Sequence, residues 1–289
     1  MANTVTYSQI FDSTLQKRLD RPQTWKEVLE VLILDTRIWN KSYESTQPAV
    51  TTVTRGTAFV LTDFVQTNDT LTIATGRDLA TYSDWGDLGQ SPWTTGVEQF
   101  QRIGNRLNEF IESNFLGNHA SWTDFGNSDI GGAGSSTTTI TISASNIDDI
   151  VRGVKREIRE ANGQGMMNDN GAGFVWRAAD FEFLEAFVQA NGFVTADQAL
   201  KEGTVEGLRY LGVDHYWSND HTANHLFAGV KRVEKTGILR STYGRSHTIE
   251  FPAGSTNNNL SGVAWYSRVD VGVLTPRGHS GIVFDINVT

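Results

Sequence analysis

The side chains best suited to chemistry crowd into twelve residues: Asp214, His215, Asp220, His221 and His225. His221 and His225 stand four apart, a spacing that on a helix would bring two imidazoles to one side, as a zinc site needs. The segment from His221 to His225 lies between expected strands, however, and carries no His-Glu-x-x-His pattern. Its plainer reading is a polar loop with surface histidines, and the alternative is the metal centre of a hydrolase. Gly278-His279-Ser280-Gly281 has the composition of a nucleophile elbow but not the Gly-x-Ser-x-Gly spacing. It also falls between two expected strands, where that motif needs a strand and a helix, so it reads as a tight turn. Three carboxylate pairs occur: Asp84 with Asp87, Asp148 with Asp149, and Glu157 with Glu160. The second suits the positive start of a helix and the third a solvated face. The glycines at 131–134 are followed by neither a lysine nor a helix start that could cradle phosphate. With no cysteine, disulfides, thiolate metal sites and cysteine nucleophiles are excluded. The sequence therefore calls for no catalytic residue, no cofactor and no metal.

The elements that would position any site can be read from periodicity. Residues 1–21 are polar with scattered apolar side chains and read as an arm without a core. Thr24 and Glu27 form a capping box for a helix carrying Trp25, Val28, Leu29 and Leu32. From 46 to 82 threonine dominates, which favours strands. Residues 57–65 and 70–74 read as two strands turning at Asn68-Asp69, with a loop over 83–95. Val97 to Leu116 is a long amphipathic helix with Phe100, Ile103, Leu107, Phe110, Ile111 and Phe115 on one side. Arg102 with Arg106 and Glu109 with Glu112 are like-charged neighbours on its other side. They read either as a solvated face or as one whose charges are offset by another subunit. An irregular stretch at 117–139 leads to a short strand at 139–143. A second helix runs from Ser145, paired with Asp148, to Ala161, and a flexible glycine-rich loop follows at 163–173. Further on come a strand at 173–177, helices at 180–189 and 195–200, and strands at 205–211, 213–217, 225–230, 248–251, 263–274 and 281–288. In the last, Ile282, Phe284, Ile286 and Val288 face one way. The pattern is α+β.

Composition narrows the function classes. The 289 residues, 38% hydrophobic with 8 Trp and 15 Phe, can bury a substantial core. A net charge of −9 argues against a dedicated duplex-DNA reader, which carries a basic face. The longest apolar run, 28–34, is broken by Glu30 and is far shorter than the roughly 20 residues that span a bilayer. No secretory leader pattern opens the chain.

From 145 to 245 the order of features is distinctive. The helix Asn146-Ile147-Asp148-Asp149-Ile150 ends at Glu160-Ala161-Asn162, and a glycine-rich loop follows. Then come the strand Phe174-Val175-Trp176-Arg177, the helix Phe181-Glu182-Phe183-Leu184 and the stretch from Ala196 to Gly207. Tyr210-Leu211-Gly212-Val213-Asp214-His215-Tyr216-Trp217-Ser218 and the strand Ala228-Gly229-Val230-Lys231 complete it. This order resembles the major capsid proteins of tailed bacteriophages with the Hong Kong 97-like fold.

The resemblance implies an N-terminal arm at 1–21, a helix leading into the extended loop at 22–41, and an extended β-hairpin loop at 42–92. It further implies a peripheral domain at 93–143 with its spine helix at 97–116, an axial domain at 144–235, and return strands of both domains at 236–289. It implies a non-enzymatic protein that assembles with itself into pentamers and hexamers of an icosahedral head. That head would form in the bacterial host cytoplasm and join a portal and any scaffold or decoration protein. Packaged double-stranded DNA would be held without sequence-specific contact, and no membrane is involved. An encapsulin-type compartment, which shares the fold, is the alternative shell. Candidate subunit contacts are Phe64, Asn68 and Asp69 on the hairpin, Arg102, Arg106, Glu109 and Glu112 on the spine helix, and Asn168 and Asp169 in the glycine-rich loop. Some members link subunits through a hairpin lysine. Lysine occurs here only at 17, 26, 41, 155, 201, 231 and 235, so a shell without such links is expected.

Overall fold

The computed structural model describes residues 23–46, 55, 65–84, 96–132, 135–191, 208–242, 246–251 and 262–289. The arm, all of the expected strand at 57–65 except Val65, and the expected helix at 195–200 lie outside the described residues.

Six helices and thirteen strands are described, numbered here in chain order. Helix α1 (Trp25–Val28) is a single turn followed by β1 (Glu30–Leu34), so the longer helix expected here is corrected. Val28, Leu29 and Leu32 fit either period. The β-branched Val31 and Ile33, and a parallel partner at Lys235–Leu239, decide for the strand. The capping box is also absent, since Thr24 makes no side-chain cap bond to α1.

Strand β2 (Ile38–Thr46) pairs antiparallel with β3 (Val65–Thr72). The turn expected at Asn68-Asp69 is a second correction: both residues lie inside β3, opposite Ser42 and Lys41. Neither is followed by the glycine a tight turn favours. Their side chains find partners: the Ser42 hydroxyl donates across the strands to Asn68 Oδ1 at 2.6 Å, and Asp69 Oδ2 accepts the Arg277 backbone N–H at 3.1 Å from outside the hairpin. After β3 the chain leaves the hairpin at buried Ile73 and enters β4 (Thr75–Asp84).

Helix α2 (Gly96–Leu116) matches the expected long helix. It buries Ile103, Leu107, Ile111, Phe115 and Leu116. Its apolar side covers a five-stranded sheet of β1, β10 (Lys235–Leu239), β12 (Gly262–Leu274), β11 (Ser246–Phe251) and β4. Strand β12 organises that sheet, pairing with β4 along one edge and with β11 and then β10 along the other. At Gly272 the β3 backbone comes so close that a Cβ would overlap the Thr72 carbonyl oxygen, so only glycine fits.

The irregular stretch after α2 holds a 3₁₀ turn (His119–Ser121), β5 (Thr123–Phe125) and α3 (Asn127–Ile130). The expected strand at 139–143 reduces to one bridge, Ile140 to Val288. Helix α4 (Ile147–Glu160) begins at Asn146 rather than at Ser145, and Asn146 Oδ1 accepts the Ser143 N–H at 2.9 Å. The loop expected at 163–173 is corrected to a helix, α5 (Gln164–Asn170), which Gly163 and Gly171 bracket. The Gln164 amide donates to Asn168 Oδ1 at 2.7 Å within it.

Strands β6 (Ala172–Trp176), β7 (Leu208–Tyr210), β8 (Val213–Trp217), β9 (His225–Val230) and β13 (Val283–Asn287) join β5 in a six-stranded sheet of order β5-β13-β9-β6-β8-β7. Helices α4 and α6 (Ala178–Ala190) pack on it. Every residue of β6 and β13 is buried, Asp285 and Asn287 included. One apolar core runs from Ile111 and Phe115 through Phe227 and Trp176 to Val269 and Val271, uniting both sheets. No described helix is long and apolar enough to cross a membrane.

Candidate functional site

The residues expected at 214–225 do not converge. Asp214 pairs with Lys231 at 2.5 Å and lies 3.8 Å from Arg209. His215 is fully buried in β8, where its Nδ1 accepts the Trp176 indole N–H at 3.0 Å. Burial pushes the His215 and His221 imidazoles down to about 4, so both are neutral at ordinary pH. His221 and His225 are separated by a turn through Asn224, which is left-handed with φ 69°. The four-residue spacing therefore never becomes one helical face, and the hydrolase reading loses its metal centre. Gly278 to Gly281 belong to a 3₁₀ turn (Arg277–Ile282), in keeping with a turn rather than an elbow. Of the carboxylate pairs, Asp148 is held by Arg152 at 2.7 Å and the Tyr210 hydroxyl at 2.6 Å, and Glu157 by Arg156 at 2.9 Å. They carry structure. Asp87 lies outside the described residues.

The assembly candidates divide into exposed and buried groups. Arg102, Arg106, Asn68, Asn168 and Asp169 are exposed, and Phe64 lies outside the described residues. Glu109, Glu112 and Asp69 are buried, against the expectation of an open charged face on α2. Glu109 accepts an Arg106 N–H at 2.6 Å, so opposite rather than like charges meet on that side. Glu112 is fully buried. Its Oε2 accepts the Trp25 N–H at 2.8 Å and its Oε1 accepts the Thr24 hydroxyl, so a residue 87 positions away caps α1. Burial pushes the Glu112 carboxyl above its usual range, opposed by those two bonds. Asp69 faces a cleft of about 390 Å³ between the hairpin and α5, lined by Trp39, Lys41, Met166, Asn170, Lys235 and His279. The cleft has charges of both signs, since Lys235 pairs with Glu30 inside it.

No protein-family profile and no curated protein matches the sequence. Solved structures do match. A chain from Mycobacterium phage Che8 superposes with a TM-score of 0.71 at 12% identity, over 99% of this chain and 98% of that one. A chain of the cyanophage P-SCSP1u capsid gives 0.64 at 12%, covering 98% and 93%. A chain of the bacteriophage PhiM1 mature capsid gives 0.64 at 14%, covering 98% and 92%. The chain has the phage capsid fold.

Within this capsid fold one polar cluster escapes a linear reading of the sequence. His119 comes from the 3₁₀ turn after α2, His225 from the first position of β9 and Asp285 from the middle of β13. The His225 Nδ1 lies 2.7 Å from Asp285 Oδ2 and the His119 Nδ1 lies 3.6 Å from the same oxygen. The two imidazoles stack with centroids 3.7 Å apart. Burial pushes the Asp285 carboxyl above its usual range, opposed by His225 and His119. No local spacing could have signalled a cluster drawn from three distant segments. The one available cue was an aspartate inside an apolar strand, which is rarely buried without a partner.

Proposed function

We propose that this chain is a major capsid protein, which self-assembles into the pentamers and hexamers of an icosahedral phage head enclosing double-stranded DNA. The observation that carries this reading is the correspondence with capsid chains over at least 98% of the sequence. Fold alone does not dictate role. Two features of the chain itself support the same reading. Asp148, Glu157 and Asp214, among the residues suited to chemistry, are engaged in internal ion pairs. Large apolar side chains also remain exposed on β1, β2 and β3: Val31, Ile33, Ile38 and Val65. Burial against neighbouring copies would complete them.

In this reading the five-stranded sheet with α2 forms the peripheral part and the six-stranded sheet with α4 and α6 the axial part. The β2–β3 hairpin and residues 1–21 reach neighbouring subunits. Phe64, Asn68, Arg102, Arg106, Asn168 and Asp169 contribute to those contacts. Asp69, Glu109 and Glu112 act within the subunit. The shell assembles in the host cytoplasm, encloses DNA through its acidic chain without sequence-specific contact, and meets a portal and any scaffold or decoration protein.

The shell is held without covalent links. Lys231 is paired with Asp214 and Lys235 with Glu30, Lys155 donates to the Leu211 carbonyl, and Lys41 lies opposite Asp69 in the hairpin ladder. Electron microscopy of the protein expressed alone should show closed shells, tubes or rings, and boiling assembled particles in detergent should release single chains. A chain that stays monomeric at every concentration overturns the capsid reading. A ladder of linked multimers overturns only the non-covalent part. Shells filled with protein rather than DNA would indicate a compartment instead.

A further inference from the structure

We infer that His119, His225 and Asp285 form a binding site for a divalent transition-metal ion that pins the turn after α2 to strands β9 and β13. The proposal is independent of the capsid reading, since it rests on this cluster alone.

The β9–β13 ladder brings two of the three ligands together. In the β9–β13 ladder His225 stands opposite Asn287, and Asp285 is two residues before Asn287 on the same face. His225 and Asp285 are therefore diagonal neighbours, within reach of each other. The turn at His119–Ser121 then lays a second imidazole over the first. The three ligand atoms lie within 4.8 Å of one another. An ion bonded to imidazole nitrogen and carboxylate oxygen at about 2.0–2.2 Å in tetrahedral geometry separates its ligand atoms by about 3.3–3.5 Å. The observed separations of 2.7 and 3.6 Å bracket that range, and one imidazole must turn out of the stack to bring both nitrogen lone pairs onto the ion.

Charge and hydrogen bonding point the same way. Asp285 is 2% exposed, and its ion-pair partners among the described residues are the two histidines, with no lysine or arginine. Its Oδ1 is buried and accepts no hydrogen bond from the described residues. A buried carboxylate with one unused oxygen and no lysine or arginine beside it among the described residues is incompletely matched. A divalent cation would complete it. The imidazoles keep 23% and 27% of their side-chain surface exposed, which leaves an entry path and a fourth position for water. Two nitrogens and one oxygen favour Zn²⁺, Co²⁺ or Ni²⁺ over Mg²⁺ and Ca²⁺, which prefer oxygen-only shells.

The full chain, stripped with EDTA and dialysed, is titrated with ZnCl₂ by calorimetry, and its melting temperature is measured with and without zinc. One Zn²⁺ per chain and a raised melting temperature are expected. CoCl₂ added to the wild-type chain should give the visible d–d bands of inner-sphere coordination. His119→Ala and His225→Ala should weaken zinc binding at least tenfold, while His247→Ala, on exposed β11, should leave it unchanged. Should an alanine variant unfold by circular dichroism, the cobalt spectrum of the wild type decides. The absence of both saturable zinc heat and cobalt bands in the wild type overturns the proposal. So does unaltered zinc binding in a folded His225→Ala chain, even if that variant shifts the pH response of stability.

Discussion

The two sheets treat their side chains differently. In the six-stranded sheet, β6 and β13 are buried at every position, and only His225 among the residues of β9 is partly exposed. In the five-stranded sheet the central β10 is buried throughout, but burial alternates in the end strand β1, which hides Leu32 better than Val31 and Ile33 (37% and 44% exposed), and at the end of the hairpin strand β3. Of the eight exposed large hydrophobics among the described residues, six belong to β1, β2, β3, β4 or β11. The first sheet thus completes its burial within the chain, whereas the second stops short. The proposed assembly would use that division, with one part stable alone and another finished by neighbours.

The comparison breaks first at Trp176. It is fully buried in β6, stacked 5.1 Å from Phe174, and its indole donates to His215. Trp176→Ala should cost about 3–5 kcal/mol in urea unfolding, because it leaves a cavity and removes the donor to a buried imidazole. A cost below about 1 kcal/mol would show that this sheet is no more self-sufficient than the other.

The next effect lies where the two sheets meet. Glu234, between β9 and β10, is completely buried, with Oε1 accepting from the Asn118 amide at 2.8 Å. Burial raises its carboxyl from 4.5 to about 7, opposed by hydrogen bonds from Asn118 and Thr275. The sign follows from which state releases the proton first. Above pH 4.5 the unfolded chain ionises while the folded chain stays protonated, so stability falls as pH rises toward 7 and levels off above it. The loss is on the order of 3 kcal/mol. Glu234→Gln keeps the accepting oxygen and should flatten this slope in unfolding measured between pH 4.5 and 8. An unchanged slope would mean that other groups set it.

Gly272→Ala probes the attachment of the hairpin. The added methyl would overlap the Thr72 carbonyl oxygen and force β3 away from β12. The expected cost is about 1–3 kcal/mol, the range for overpacking at a tight site. Hydrogen exchange should quicken in the β2–β3 ladder and stay slow in β6 and β9. Uniformly faster exchange would mean that hairpin and core open as one unit.

The legible parts of the fold were those whose pattern is local. The stripe of Ile103, Leu107, Ile111 and Phe115 announced α2, and the apolar runs of β6, β9 and β12 announced strands. Segments decided at a distance were misread. Residues 30–34 become a strand because 235–239 lie beside them, and Asn68-Asp69 stays extended because Ser42 bonds Asn68 from β2 and the Arg277 N–H reaches Asp69. The glycines and asparagines of 163–171 suggested a loop, yet they bracket and fill a helix. Glu112 looked solvated because its spacing placed it opposite the apolar stripe, and nothing in the sequence showed that Thr24 and Trp25 would pack there. Among the candidates placed on assembly contacts, Asn68, Arg102, Arg106, Asn168 and Asp169 are exposed while Asp69, Glu109 and Glu112 are buried, a division no local spacing marks, and the His119–His225–Asp285 cluster exists only after three segments meet.

The smallest effect on the chain is the sharpest test of the comparison. Ile33 lies in β1, the end strand of its sheet, with 44% of its surface in water. Ile33→Ser gives up apolar area that is only partly buried, so monomer stability should change by less than about 1 kcal/mol. If neighbouring copies complete this sheet, the same change should raise the protein concentration needed for particle formation several-fold in light scattering. The converse change in the other sheet, Ile286→Ser in fully buried β13, should destabilise the monomer before assembly is reached. Assembly that proceeds unchanged with Ile33→Ser would leave the exposed apolar side of β1 without a role in the shell. The unfinished burial would then have to be sought on β2 and β3, at Ile38 and Val65.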